Sequence, residues 1–145
     1  MTPLIEMIAA VGNQGQIGLD GHLPWKSSAD LKWFKEMTMG KILIAGVNTI
    51  KTLPPLLGRR LLIDNKYLTP LEFIDDTIDA FSIHSEKIEL TDIFIVIGGA
   101  KTYKRWIPYA SRVYLGLIKG YDGCAADTFM PPLWNPITLP DEETT

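Results

Sequence analysis

Cysteine occurs once in the 145 residues, as Cys124, so no disulfide can form within the chain. Histidine occurs twice, as His22 and His84, and neither has a second His, a Cys or a paired acid at metal-ligand spacing. The usual zinc frameworks are therefore excluded. Cys124 has no histidine near it in sequence and reads as a space-filling residue. The chain carries no phosphate-binding P-loop and no nucleophile elbow, which removes two large enzyme classes. It also lacks an excess of positive charge: 14 Lys and Arg stand against 17 Asp and Glu, a net charge of −3. Nothing in that balance favours nucleic acid or an anionic membrane as partner. The longest nearly apolar runs are about ten residues, half of what a membrane-spanning helix needs. The first six residues have no basic stretch leading into a long apolar run, so the sequence predicts a cytoplasmic chain with no secretion signal. Repeats and low-complexity segments are absent too.

What is present is ordinary for a folded protein: 46% hydrophobic and 21% charged residues. The length predicts a single domain over residues 1–145. Short apolar runs rich in β-branched residues predict strands at 4–11, 41–45, 60–63, 80–83, 93–97 and 112–118. Helices are predicted between them: one capped by Ser27 or Ser28, with Asp30 in its first turn and running through Met37, and others at about 48–53, 85–90 and 101–107. Leu31, Phe34 and Met37 give the first helix an apolar side, and Trp33 and Trp106 read as packing residues. Strands alternating with helices imply an α/β fold with a mainly parallel sheet covered on both faces. Beyond Asp127, four prolines (Pro131, Pro132, Pro136, Pro140) break the pattern.

Four groups stand out for chemistry. Asp30 falls in the first turn of its helix, where an acid commonly serves the helix dipole. Its neighbours Trp25, Leu31 and Phe34 are apolar, however, and an acid facing an apolar pocket needs a partner such as a heterocycle with two N–H donors. Burial would raise its pKa and suit it to proton delivery. Ile97-Gly98-Gly99 lies at the carboxyl end of a buried strand and leads into a helix, as a tight turn or as a place where a phosphate meets backbone N–H groups. Gly46-Val47-Asn48-Thr49 is a second such junction, for which Asn48 or Thr49 as a plain N-cap is the competing reading, compatible with the first. Arg59-Arg60, after Leu57-Gly58, offers a guanidinium able to grip a carboxylate, or simply a solvated surface charge.

Taken in order, Ile8-Ala9-Ala10, Ile17-Gly18, Leu23-Pro24-Trp25, Ala29-Asp30-Leu31-Lys32-Trp33-Phe34-Lys35, Gly46 with Thr49, Leu57-Gly58-Arg59, Val96-Ile97-Gly98-Gly99 with Tyr103, and Asp127-Thr128 resemble the dihydrofolate reductase family. The resemblance covers about residues 5–131. It implies an NADPH-dependent oxidoreductase of one-carbon metabolism, reducing 7,8-dihydrofolate to tetrahydrofolate with hydride to C6 and a proton to N5. Asp30 would hold the pterin and promote the protonation, with Trp25 placing a water and Leu23 closing a lid formed by residues 12–24. Ala10, Leu31, Phe34, Leu53 and Ile97 would line the substrate pocket, and Arg59 would hold the glutamate α-carboxylate. Ile17, Gly18, Gly46, Asn48, Thr49, Lys66, Gly98, Gly99, Lys101, Thr102 and Tyr103 would bind NADPH; no metal is implied. The sequence departs from the family in three places. Val47 stands where an Arg commonly meets the cofactor's 2′-phosphate, with Lys66 and Lys101 as substitutes. Gly116 replaces a Thr that commonly bonds the catalytic acid. The usual complete C-terminal hairpin is expected to be missing, with either the chain's own tail or a second subunit, as a homodimer, covering the sheet edge it leaves. Those departures leave two alternatives open: a non-catalytic folate- or nucleotide-binding or structural protein, and a reductase acting on a pyrimidine, against which Arg59 and Phe34 argue.

Overall fold

Alternation of buried side chains along three short strands organises the molecule. The computed structural model of the protein describes residues 3–11, 16–18, 28–51, 53, 58–82, 88–89, 91–117 and 128–129, without the side chains of 16, 18, 28–31, 117 and 128–129. Strands β1 (Leu4–Val11), β3 (Ile42–Ala45), β4 (Arg60–Ile63), β5 (Ile93–Gly98) and β6 (Arg112–Leu117) form one sheet in the order β4-β3-β5-β1-β6, every pair parallel. Successive side chains in a strand point to opposite faces. Ile5, Met7, Ala9 and Val11, Ile42 and Ile44, and Phe94 and Val96 therefore face one layer. Ile8, Leu43, Ala45, Ile95 and Ile97 face the other. Both faces are covered, which is why these strands read as continuous apolar runs.

Helix α1 (Ser28–Thr38) lays Trp33, Phe34 and Met37 on the second face. Ile50, at the end of the single-turn α2 (Val47–Ile50), and Leu53 pack there as well. The opposite face is covered by α3 (Pro70–Phe81) and α4 (Ala100–Trp106), with Phe73, Ile74, Tyr103 and Trp106 buried. The Phe73 and Trp106 rings meet edge to face, 5.6 Å between centroids. A 3₁₀ turn, Ile107–Tyr109, follows α4. Two short strands, β2 (Gln16–Gly18) and β7 (Thr128–Phe129), pair antiparallel in a separate sheet.

Helix α3 corrects the sequence reading, which places a strand at 80–83. Ala80 and Phe81 are the last residues of the helix and Ser82 is its C-cap. Thr69 starts it with a reciprocal capping box: its hydroxyl accepts from Glu72 N (3.2 Å), and Glu72 Oε1 accepts from Thr69 N (2.8 Å). Pro70 occupies the first turn, where its missing N–H costs nothing. Ile78 and Phe81 then continue the apolar side begun by Phe73 and Ile74. Of the helix expected at 85–90, the described members Ile88 and Glu89 are not helical. The strand expected at 137–139 lies outside the described residues.

Candidate active site

The sheet's carboxyl ends bring the two glycine junctions together. β3 and β5 are neighbours, so Ala45 pairs with Gly98. The chain leaving β3 is then fixed by a hydrogen bond from Gly46 N to Gly98 O at 2.8 Å. Gly98 has φ +136°, a conformation that L side chains rarely adopt. A Cβ on Gly46 would stand 2.7 Å from Thr102 Oγ1, and one on Gly99 would stand 3.1 Å from Thr49 Oγ1. Side chains are thus shut out of the seam between the junctions, leaving a cradle of backbone flanked by Thr49 and Thr102. At Gly99 no side chain caps the start of α4. Such a surface suits a pyrophosphate.

Tyr103 lies under this cradle. It is buried, and its hydroxyl donates to Ile8 O at 2.7 Å, tying α4 to β1. Asn48 and Lys101 are exposed near the rim, and Lys66 lies in the turn after β4. Val47 is 55% exposed at the start of α2.

On the other side of the cradle, α1 lies over the face that carries Ile97, Phe34 and Leu53. Asp30 and Leu31 sit in its first turn, described in backbone only. Ala10, near the end of β1, pairs in register with Gly116 of β6, so the position where the family commonly has Thr borders the same end of the sheet. Trp25 and Leu23 lie outside the described residues. Ile17 and Gly18 lie in β2, where Ile17 packs against the first core layer.

At the far end of α1, Arg59 is half-buried and its Nη1 donates to Thr38 Oγ1 at 3.0 Å. Thr38 is itself fully buried and donates to Phe34 O at 2.8 Å. Thr38 was not singled out from sequence. The local signal is faint: a hydroxyl in the last helical turn, just before Met39-Gly40. Among the described residues, no group of three or more His, Cys, Asp or Glu could hold a metal ion, and no helix is long and apolar enough to cross a membrane.

The model of one protein family, described as dihydrofolate reductase, matches residues 4–141. The chain belongs to the dihydrofolate reductase family. Dihydrofolate reductase type 9 of Escherichia coli is 34% identical over 121 residues, 77% of this chain and 68% of the relative. Dihydromethanopterin reductase of Methylorubrum extorquens is 29% identical over 144 residues, 90% of this chain and 92% of the relative. A solved dihydrofolate reductase from Enterococcus faecalis, complexed with NADP(H) and RAB-propyl, superposes with a TM-score of 0.66 at 28% identity, covering 88% of this chain and 77% of that one. The parallel sheet with helices on both faces is the dihydrofolate reductase fold, as the resemblance implied. The chain is accordingly an oxidoreductase, and NADPH is the cofactor of its family.

Proposed function

We infer that this chain reduces 7,8-dihydrofolate to tetrahydrofolate with NADPH, the hydride reaching C6 and Asp30 assisting protonation of N5. One observation carries the reading: α1 has an acid near its start and an anchored guanidinium at its end, on the layer lined by Phe34, Leu53 and Ile97. Eight residues separate Asp30 from Thr38, about 12 Å at helical rise. A molecule with N–H donors at one end, a flat middle and carboxylates at the other matches that spacing, and dihydrofolate is such a molecule.

The residues have distinct tasks in this scheme. Asp30 accepts hydrogen bonds from the pterin's ring N–H and amino groups, which fixes the ring's rotation. Leu31, Phe34, Leu53, Ala10 and Ile97 supply apolar walls that exclude water and strengthen the acid's interaction. Arg59 pairs with a carboxylate of the glutamate tail in a two-pronged hydrogen bond. The seam of Gly46, Gly98 and Gly99, with Thr49 and Thr102 beside it, fits the dinucleotide's phosphates because no Cβ fills it. When bound, the cofactor supplies the hydride from its nicotinamide. Trp25 and Leu23 complete the site by ordering a water and closing over it, as in the family pattern.

A spectrophotometric assay following nicotinamide absorbance tests this. Turnover of dihydrofolate with NADPH is expected, and Asp30→Asn lowers kcat by about 10²- to 10⁴-fold. No turnover with any reduced nicotinamide overturns it in favour of a non-catalytic binding protein. The extent of the Methylorubrum alignment, 92% of that relative, makes dihydromethanopterin the competing substrate, to be assayed in parallel. A homodimer is part of the same reading, because among the described residues β6 pairs only with β1, and a second subunit would cover its other edge. A solution mass of one chain overturns that part. Cytoplasmic placement follows from the same chemistry, since NADPH-dependent folate reduction belongs with a reduced nicotinamide pool.

A further inference from the structure

The end of the sheet opposite the glycine cradle has a cleft of its own, about 390 Å³ in volume. It opens among the amino ends of three neighbouring strands. Gly40 and Lys41 line it at the start of β3, Gly58, Arg59 and Arg60 at the start of β4, and Asp92 just before β5. Glycine shapes two of these sides. Gly40 has φ +77° and Gly58 φ +75°, the left-handed region that favours glycine. A Cβ on Gly40 would meet nothing within 4 Å, so the space beside that turn is open. Lys41 N donates to Thr38 O at 3.1 Å, which closes the turn onto the end of α1. Three cations and one carboxylate thus surround a space that no side chain fills.

Three of the four charges are engaged by the chain itself. Lys41 Nζ stands 2.6 Å from Glu6 Oε1. Arg59 donates from Nη1 to Thr38 Oγ1. Asp92 Oδ2 accepts from Glu89 N at 2.7 Å, so this carboxylate serves a local turn. Arg60 is different. Strand alternation turns it to the face opposite Arg59, and its guanidinium carbon stands 5.9 Å from the centre of the Phe81 ring on α3. Its Nη1 is buried and has no hydrogen-bond partner among the described residues. A charged donor that water does not reach needs an acceptor, and leaving it without one is costly.

We propose that this cleft binds a small oxyanion, a carboxylate or a phosphate group, on Arg60, and that Arg59 links its occupancy to the substrate's tail. The planar fork of Arg60 matches two oxygens of such a group, and Nη1 gains the acceptor it lacks. Lys41 gives one ammonium N–H to Glu6 and has two others to offer. Asp92 on the same lining limits the negative charge that the cleft can hold, which favours a single compact anion. An anion seated here draws on the field of Arg59, so a carboxylate held by Arg59 on the α1 side is held less tightly. The link to the tail rests on the reading of Arg59 given above; the anion site does not.

Calorimetric titration of the whole chain tests the site, with inorganic phosphate and malonate as probes and sodium chloride at matched ionic strength as control. Excess NADPH is present throughout, so that the glycine cradle is occupied and cannot take the probe. One probe anion per chain is expected to bind, and chloride to give no saturable heat; whichever probe binds tells phosphate from carboxylate chemistry. Arg60→Met keeps an apolar stem against Phe81, loses the fork, and is expected to weaken the anion at least about tenfold. It removes a buried donor without a partner, so it is expected to unfold at no lower temperature than wild type when anion is absent. Added anion then raises Tm in wild type alone. No saturable binding of either probe by wild type overturns the site, as does unchanged affinity in Arg60→Met. In steady-state assays, saturating anion is expected to raise the KM of wild type for dihydrofolate about fivefold, with kcat unchanged, and to leave the KM of Arg60→Met as it was. An unmoved wild-type KM with the anion bound overturns the link to Arg59. Absence of dihydrofolate turnover overturns the proposed function and the link with it, while the titration still decides the anion site.

Discussion

Arg59 gains its usefulness from Thr38. A free arginine samples many rotamers, and fixing one side chain of that length costs up to about 2 kcal/mol in conformational entropy. Here the buried Thr38 hydroxyl has already fixed it, accepting from Nη1 while donating to Phe34 O. If Arg59 holds the substrate's carboxylate, removing the threonine's oxygen loosens the clamp without touching the substrate. Thr38→Val keeps the volume and is expected to raise KM for dihydrofolate about threefold to tenfold, the worth of one ordinary hydrogen bond, with kcat little changed. Thr38→Ser, which keeps the hydroxyl, restores KM; steady-state kinetics on the three proteins decides it. The sequence singled out Arg59, Asp30 and both glycine junctions because each residue type has few jobs at such a position. It could not single out Thr38, because the hydrogen bond joins residues 21 apart that only the fold brings together.

Helix α3 is the element whose ends explain it best. Thr69 and Glu72 satisfy each other's backbone N–H groups, and Pro70 cannot be placed better than in that first turn. Thr69→Ala removes one half of the box and is expected to cost about 1 kcal/mol in urea unfolding, with the m-value unchanged. The box also has a pH dependence of defined sign. Hydrogen bonds from the Thr69 backbone and then its side chain hold the Glu72 carboxyl below its ordinary value of 4.5. A group depressed in the folded state stabilises above its unfolded pKa and loses that contribution as pH falls through the folded one. Glu72→Gln should therefore flatten the stability profile below about pH 4.5 relative to wild type, and identical acid limbs for the two proteins would refute the assignment. The capping box and Pro70 are visible in the sequence; the strand predicted at 80–83 arose from reading Ala80 and Phe81 as a short buried run. A run of four apolar-leaning residues cannot distinguish a strand from the last turn of an amphipathic helix. The central strands β1, β3 and β5 were legible because both their faces are buried, which removes that ambiguity.

At the scale of the whole molecule, one charge sits where the fold can least tolerate it unpaired. Glu6 interrupts the apolar run of β1 and is 1% exposed. Lys41, just before β3, donates to its Oε1 at 2.6 Å, and the Tyr114 hydroxyl on β6 donates to its Oε2 at 3.0 Å. Lys41 Nζ also lies 4.9 Å from the centre of the Tyr114 ring. With the strand order β4-β3-β5-β1-β6, this network runs from the start of β3 to β6 at the edge and passes over β5. Arg112, 3.9 Å from Glu6 but 64% exposed, adds little because water screens it. The network sits at the amino ends of the strands, opposite the glycine cradle, so its contribution falls on assembly of the sheet. Buried ion pairs are poor net stabilisers, yet breaking one partner leaves a stranded charge. Lys41→Met is therefore expected to cost about 3–5 kcal/mol, a large share of a typical domain's stability. Adding Glu6→Met to that variant should return at least half of the loss, because the charge needing a partner is gone. Urea unfolding of the single and double variants measures this directly. A double variant no more stable than Lys41→Met alone would mean that the network holds the strands by geometry, and that charge compensation is not what Lys41 provides.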